Sequence, residues 1–269
     1  MALDQKIAFI GAGKMATAIA AGLVRSGMDT GNIKAYDVSP QAAELFARNT
    51  GVATSGSMKE ALTEVSTVIL AVKPQYAIGA LAEASAYLKG KLLVSIAAGL
   101  TIATLTEASG AERIVRVMPN TPALVGEGMS CYAGIPGIPE EDLKTVEKIL
   151  LSIGRAFPVE ESQLDAVTGL SGSSPAFVLE FIMALADGGV YEGLPRAKAL
   201  EMAAQTVLGT AKMVLNSSAH PAELRDAVIS PAGTTACGVM VLEKAGFNGI
   251  AASAVVAAAE RSRELGAKK

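Results

Sequence analysis

The single histidine of this chain, His220, stands just before Pro221 in a polar connection. That is the place of an exposed helix-start residue. The sequence therefore offers no Ser-His-Asp triad and no His/Cys metal site. The residues that can do chemistry lie in glycine- and hydroxyl-rich turns. The first is Gly11-Ala12-Gly13, between the apolar run Ile7–Ile10 and a helical pattern that starts by Met15. Strand, glycine turn and helix in that order form a dinucleotide fingerprint. Gly11 permits the tight turn, Gly13 lets the backbone approach a pyrophosphate, and Ala16 stands at the third glycine position, where helix packs on strand. The diphosphate would sit on free N–H groups at the positive end of a helix. A nicotinamide cofactor held there can carry hydride transfer, with the hard step supplied by the cofactor.

Asp37 ends the second apolar run, about 20 residues past the glycines, where an acidic residue takes a ribose 2′-hydroxyl. A 2′-phosphate would be repelled there, and no basic residue follows before Arg48. This leans mildly toward NADH over NADPH; helix capping by Asp37 or Ser39 is the structural alternative. Lys73, after the run ending Ala71-Val72, can meet a phosphate or the nicotinamide end. Two later segments suit a small anionic ligand: Leu170-Ser171-Gly172-Ser173-Ser174-Pro175 and Ser230-Pro231-Ala232-Gly233-Thr234-Thr235. Each is read as opening a helix, with N–H groups and hydroxyls free for a carboxylate. For either alone, capping is explanation enough; two of them behind a dinucleotide fingerprint suggest a substrate site.

The elements that must position these turns change character along the chain. Short β-rich runs (6–10, 32–36, 67–72, 91–95 and 113–117) alternate with helical patterns at 14–26, 40–48, 59–64 and 75–88. Such alternation implies βαβ units and a parallel sheet. Runs at 131–133 and 155–159, with a helix at 140–152 between them, add final strands. From Ser162 onward only helices are expected, starting at Ser174, Pro195, Pro221, after Pro231 and at Asn248. The fold class is α/β: an N-terminal Rossmann-type dinucleotide-binding domain over 1–160, followed by an all-α substrate-binding and dimerisation domain over 161–269. The stretch from Phe177 to Leu185 is apolar nearly all round and must be buried. Five helices cannot bury that much alone, so an isologous homodimer is expected.

Composition narrows the class. Aromatics make up 4% and Trp is absent, so the core must be aliphatic and Ala-rich. Net charge is −3 and no basic stripe interleaves with aromatics, which argues against nucleic acid as a partner. Cys131 and Cys237 are far apart and read as reduced, buried thiols, suiting a cytoplasmic protein. No secretory signal and no segment long enough to span a membrane are read. Lys268-Lys269 reads as a solvated end.

Taken end to end, the chain resembles the pyrroline-5-carboxylate reductase family. The resemblance rests on Phe9–Met15, Ala71-Val72-Lys73-Pro74, Ser95–Gly99, Met118-Pro119-Asn120-Thr121-Pro122, Gly169–Ala176, Ala186-Asp187-Gly188-Gly189-Val190 and Ser230–Thr235. It implies NADPH- or NADH-dependent reduction of 1-pyrroline-5-carboxylate to L-proline, the last step of proline biosynthesis. It also implies a homodimer with interlocked helical domains, which allows further assembly into a decamer. The cofactor contacts it implies are Gly11, Ala12, Gly13, Lys14, Met15, Val72, Lys73, Ala98, Met118 and Asn120. Ser230, Gly233, Thr234 and Thr235 would hold the substrate carboxylate, with the Thr235 hydroxyl on the ring nitrogen as the catalytic group. Glu161 matches an acidic residue near the substrate, and Ser174 joins the substrate set from the serine-rich segment. Two departures stand out. Ala232 replaces the first glycine of the usual pair, and Asp37 stands where NADPH-using members tend to have small polar or basic residues.

Two other readings compete. A β-hydroxyacid dehydrogenase-like oxidoreductase shares the two-domain plan but needs a lysine base early in the helical domain, and none occurs from Ser162 to Arg196. A dinucleotide-binding regulator without turnover would have little use for the hydroxyl-rich second site.

Overall fold

The computed structural model describes residues 5–267, so the Lys268-Lys269 end lies outside the described residues. The chain clusters into two compact units. One holds the residues up to Gly172 together with those from Ala257 onward, and the other runs Ser173–Val256.

The first unit is built on a seven-stranded sheet: β1 (Ile7–Ile10), β2 (Ile33–Tyr36), β3 (Thr67–Leu70), β4 (Leu92–Ser95), β5 (Arg113–Met118), β6 (Gly128–Gly134) and β7 (Gly154–Pro158). Their order across the sheet is β2-β1-β3-β4-β5-β6-β7. The first five strands are parallel, β5 and β6 pair antiparallel, and β6 and β7 are parallel again. The connections explain the directions. Between β5 and β6 there is only a short 3-10 turn, Thr121–Val125, too short for the crossover that a parallel pair needs. Between β6 and β7 lies a full helix, and the pair is parallel.

The helices of this unit are α1 (Lys14–Arg25), α2 (Pro40–Thr50), α3 (Met58–Leu62), α4 (Pro74–Ala84), α5 (Ile102–Ser109), α6 (Glu140–Leu151) and α7 (Leu164–Val167). Ile7 and Phe9 pack in one layer with Ile19 of α1, Phe46 of α2 and Val146 of α6. Ala8 and Ile10 pack in the other with Leu62 of α3, Leu81 of α4 and Leu105 of α5. Both faces of the central strands are thus covered. That is why they read as continuous apolar runs with no alternation. Asp165 of α7 accepts a hydrogen bond from the buried Ser262 hydroxyl at 2.6 Å, which returns the end of the chain to this unit.

The second unit contains α8 (Ser174–Tyr191), α9 (Arg196–Leu215), α10 (Pro221–Asp226), α11 (Thr234–Lys244) and the start of α12 (Phe247–Ala267). Small side chains let α8 and α9 approach: Ala186, Ala199 and Ala203 form their buried contact. Much of the remaining apolar surface is open in one chain, with Leu179 60% exposed, Val241 66% and Ile250 65%. One copy leaves these faces open, in line with the expectation that five helices cannot bury them alone.

Three expectations need correction. Ser174 opens α8 as expected, with Pro175 in its first turn, but not as a free helix start. Thr168–Ser173 is a π-turn that joins α7 to α8, so helix is continuous from Glu161 to Tyr191. That stretch is 31 residues long and apolar enough, by length and composition, to cross a membrane; α11 and α12 together pass the same test across a 51° bend. The reading that no segment is long enough therefore fails, because it took Glu180 and Asp187 to break the apolar stretch, and two charges do not. Finally, Cys131 is buried but Cys237 is exposed, since α11 buries none of its residues within one chain.

Candidate dinucleotide and substrate sites

A parallel sheet delivers the ends of its strands to one edge. Gly11 follows β1, Asp37 follows β2, Val72 and Lys73 follow β3, Ala98 follows β4, and Met118 and Asn120 close β5. The sheet thus brings the whole expected cofactor set of the first unit to its carboxyl edge. The chain passes from β1 to β2 on one side and on to β3 on the other, and this reversal is where open α/β sheets bind ligands.

The glycine turn is built for close approach. Gly11 has φ +99°, and a Cβ there would lie 2.9 Å from Val72 Cγ1 and 3.0 Å from the Ala71 carbonyl. No other residue fits both the dihedral and the space. Gly11 N–H donates to Tyr36 O at 2.8 Å, and Ala71 N–H donates to Ile10 O at 2.8 Å, so the turn is pinned to strands on either side. Gly13 is the N-cap of α1, and a Cβ there would meet nothing within 4 Å. No side chain caps this helix, which leaves the first-turn N–H groups around Lys14 and Met15 to an outside acceptor. An open cradle at a helix N-terminus fits the diphosphate of a dinucleotide.

Asp37 does something the sequence did not reveal. Its Oδ2 accepts from Ala12 N–H at 2.7 Å and its Oδ1 from Ser39 N–H at 2.8 Å. The alternative of capping near Ser39 is realised alongside a clamp on the glycine turn. Lys73 is exposed, as a loop lysine at the start of α4. Ala98 is exposed, Met118 is half-buried and Asn120 is buried.

Glu161 is committed within the first unit. Its Oε1 accepts from Ile102 N–H, at the start of α5, at 2.6 Å and from Arg116 Nη1 at 3.3 Å. Arg116 was missed. Its signal was a charge inside the run Ile114-Val115-Arg116-Val117, since a buried cation needs a partner. α5 was missed too, although Thr101 caps it through Thr104 N–H and Gly110 closes it at φ +64°. On the neighbouring β6, burial pushes the Cys131 thiol above its ordinary pKa.

In the second unit, Ser230–Thr235 forms a tight turn into α11. Gly233 N–H donates to Ser230 O at 3.0 Å, and Gly233 is the N-cap with no side chain capping the helix. A Cβ on Gly233 would run into the Ser230 hydroxyl. Ala232 has φ +58°, a left-handed conformation that favours glycine. Thr234 and Thr235 are the first two residues of α11, so the segment does present hydroxyls and N–H groups at a helix start. His220 is an exposed cap as expected, its Nδ1 accepting from Ala222 N–H at 3.2 Å.

The two units match known proteins separately and together. Residues 6–99 match a family described as NADP oxidoreductase coenzyme F420-dependent, and residues 161–265 one described as pyrroline-5-carboxylate reductase dimerisation. A pyrroline-5-carboxylate reductase of Arabidopsis thaliana is 47% identical over 97% of this chain and 95% of its own. The solved structure of a Plasmodium falciparum pyrroline carboxylate reductase with NADP bound is 37% identical, with a TM-score of 0.88 and 98% of both chains covered. That of a Coxiella burnetii pyrroline-5-carboxylate reductase is 32% identical, with a TM-score of 0.92 over 98% of this chain and 99% of the other. With a cradled glycine turn at the switch point of its sheet, a hydroxyl-rich helix start in its second unit and likeness along almost its whole length, this chain belongs to the pyrroline-5-carboxylate reductase family.

Proposed function

We propose that this chain reduces 1-pyrroline-5-carboxylate to L-proline with NADPH or NADH. The observation that carries the reading is the pairing of an uncapped α1 N-terminus behind Gly11 and Gly13 with an uncapped α11 N-terminus behind Gly233, in a chain of this family. When bound, the dihydronicotinamide supplies the hydride that goes to the imine carbon. The α1 first-turn N–H groups hold the diphosphate. Val72, Lys73, Ala98, Met118 and Asn120 complete the cofactor set along the strand ends. The α11 first-turn N–H groups, with Ser230, Gly233 and Thr234, hold the substrate carboxylate. The Thr235 hydroxyl orients the ring nitrogen. A cyclic imine can arrive protonated, so the rate comes mostly from positioning. Ser174 and Glu161 extend the substrate set.

The reading divides the chain functionally at residue 160 into a dinucleotide domain and a helical domain. Two copies interlock through the helical domains and cover the open apolar faces of α8, α11 and α12, so these faces meet protein and not lipid. Dimers can assemble further into a decamer, and the enzyme works in the cytoplasm.

One assay tests the reaction: oxidation of NADH or NADPH with pyrroline-5-carboxylate, against 3-hydroxyacids with NAD or NADP. Turnover is expected only with the imine. Thr235→Ala should lower kcat/KM for the imine while dinucleotide binding stays intact. Full activity in that variant would remove Thr235 from its role, and no turnover with the imine would overturn the proposal.

A further inference from the structure

The π-turn at Thr168–Ser173 has a cause in the sequence. Pro175 carries no N–H, so the Ser171 carbonyl four residues earlier cannot receive the α-helical bond, and the proline ring crowds it. The hydroxyls of Thr168 and Ser171 bond back to the carbonyls of Leu164 and Val167, at 2.8 Å and 3.1 Å, and loosen the same turn. The stranded Ser171 carbonyl then accepts from Nδ2 of Asn120 at 3.1 Å. The other end of that amide, Oδ1, accepts from Met129 N–H at 2.8 Å. Only a side chain with a donor and an acceptor on one short stem serves both. Asn120 is buried, so either group left unpaired would carry the full desolvation cost. Gly172 leaves the space beside the turn into which Met118 Cε fits, and a Cβ there would collide with it.

We propose that Asn120 is a positioning residue that holds this π-turn in register. The proposal rests on the reductase reading and adds a second task for a residue assigned to the cofactor. A π-turn holds one residue more than an α-turn. Relaxing it to α register turns every later side chain about 100° around the helix axis. Ser174 and the rest of α8 would leave their settings. Asn120 thus fixes the register in which the helix continues past the π-turn.

The test uses Asn120→Ala, Asn120→Asp, Pro175→Ala and the double variant Asn120→Ala/Pro175→Ala in the full-length protein. Asn120→Asp keeps the acceptor for Met129 N–H and sets a second acceptor, with charge, where the donor to Ser171 stood. In both Asn120 variants, kcat/KM for the imine should fall on the order of 100-fold, well beyond the accompanying loss of NADPH affinity. Pro175→Ala restores an N–H that can satisfy the Ser171 carbonyl in α register. In the double variant the melting temperature should therefore recover while activity does not. Activity returning together with the melting temperature would overturn the proposal, since Asn120 would then be only a structural strut. So would a loss of NADPH affinity that matches the loss of kcat/KM. Hydrogen exchange keeps the proposal apart from the reductase reading. If the wild type does not turn over the imine, faster amide exchange around 171–176 in Asn120→Asp still supports the latch, and unchanged exchange overturns it.

Discussion

Asp37 and Ala12 are joined by a hydrogen bond of 2.7 Å, from the Ala12 N–H to one carboxylate oxygen, while the other oxygen caps Ser39 N–H. One side chain at the end of β2 therefore ties the turn after β1 to the turn before α2. Each carboxylate oxygen has a further lone pair, so a ribose hydroxyl can still be received. The first duty of Asp37 is to shape the glycine turn. Asp37→Asn must turn an N–H₂ toward one of these donors and should cost about 1–3 kcal/mol of stability. Thermal unfolding measures it. Kinetics with both dinucleotides then separate the two roles. The wild type should use NADH at least as well as NADPH, and Asp37→Ser should shift the kcat/KM ratio toward NADPH. A strong NADPH preference in the wild type would refute the lean that Asp37 suggests.

The turn into α11 carries strain at one residue and tightness at the next. Ala232 sits at φ +58°, which costs an alanine roughly 1 kcal/mol. Ala232→Gly should keep or slightly raise stability and raise KM for the imine, because the turn becomes looser. Gly233→Ala should act more strongly, since its Cβ must displace the Ser230 hydroxyl. Steady-state kinetics on the two variants should show the larger KM increase for Gly233→Ala, and the reverse order would contradict this account.

Glu161 and Arg116 form an ion pair of unequal exposure, 35% for the Glu161 side chain and 8% for Arg116. Glu161→Gln can keep the bond from Ile102 N–H but leaves the guanidinium without its counter-charge. The loss should be about 2 kcal/mol, below the range for a fully buried pair because Glu161 meets solvent. Removing both charges with Arg116→Met/Glu161→Gln should cost less than the sum of the single changes. A double-mutant cycle by urea denaturation checks this. A rise in imine KM in Glu161→Gln, at a temperature where the variant is fully folded, would add the substrate contact.

The Cys131 thiol titrates above its ordinary pKa because burial disfavours the thiolate. At pH 8 its thiolate fraction is lower than that of a free cysteine, and reagent access is poor as well. Iodoacetamide should leave Cys131 unmodified in the native protein and alkylate it after denaturation. Rapid native labelling at Cys131 by peptide mapping would mean that β6 opens readily.

How much of this was legible depended on where the deciding partner lay. Thr67–Leu70 and Leu92–Ser95 could be read as strands because burial on both faces writes itself into a short run. Gly11 and Asp37 could be found because their spacing is local. The Asp37 clamp on Ala12 could not, since it depends on two turns meeting in space. α5 was overlooked because its eight residues, Ile102–Ser109, are short and mix Thr and Ala among few large apolar groups. Pro175 was read as a helix start because proline favours the first turn. Here a donor from residue 120 lets the helix run through it, and no local pattern announces a donor 51 residues away.

The first unit is also discontinuous, and this governs how it is made. Its sheet is complete by Pro158, but the seat on Asp165 waits for Ser262. During synthesis, all of Ser173–Val256 must leave the ribosome before that seat can be filled. Domains that fold as units usually do so as they emerge. This one can assemble its sheet early and must finish late, so a nascent chain stopped at Val256 would hold a formed glycine turn beside an α7 still without its hydroxyl donor.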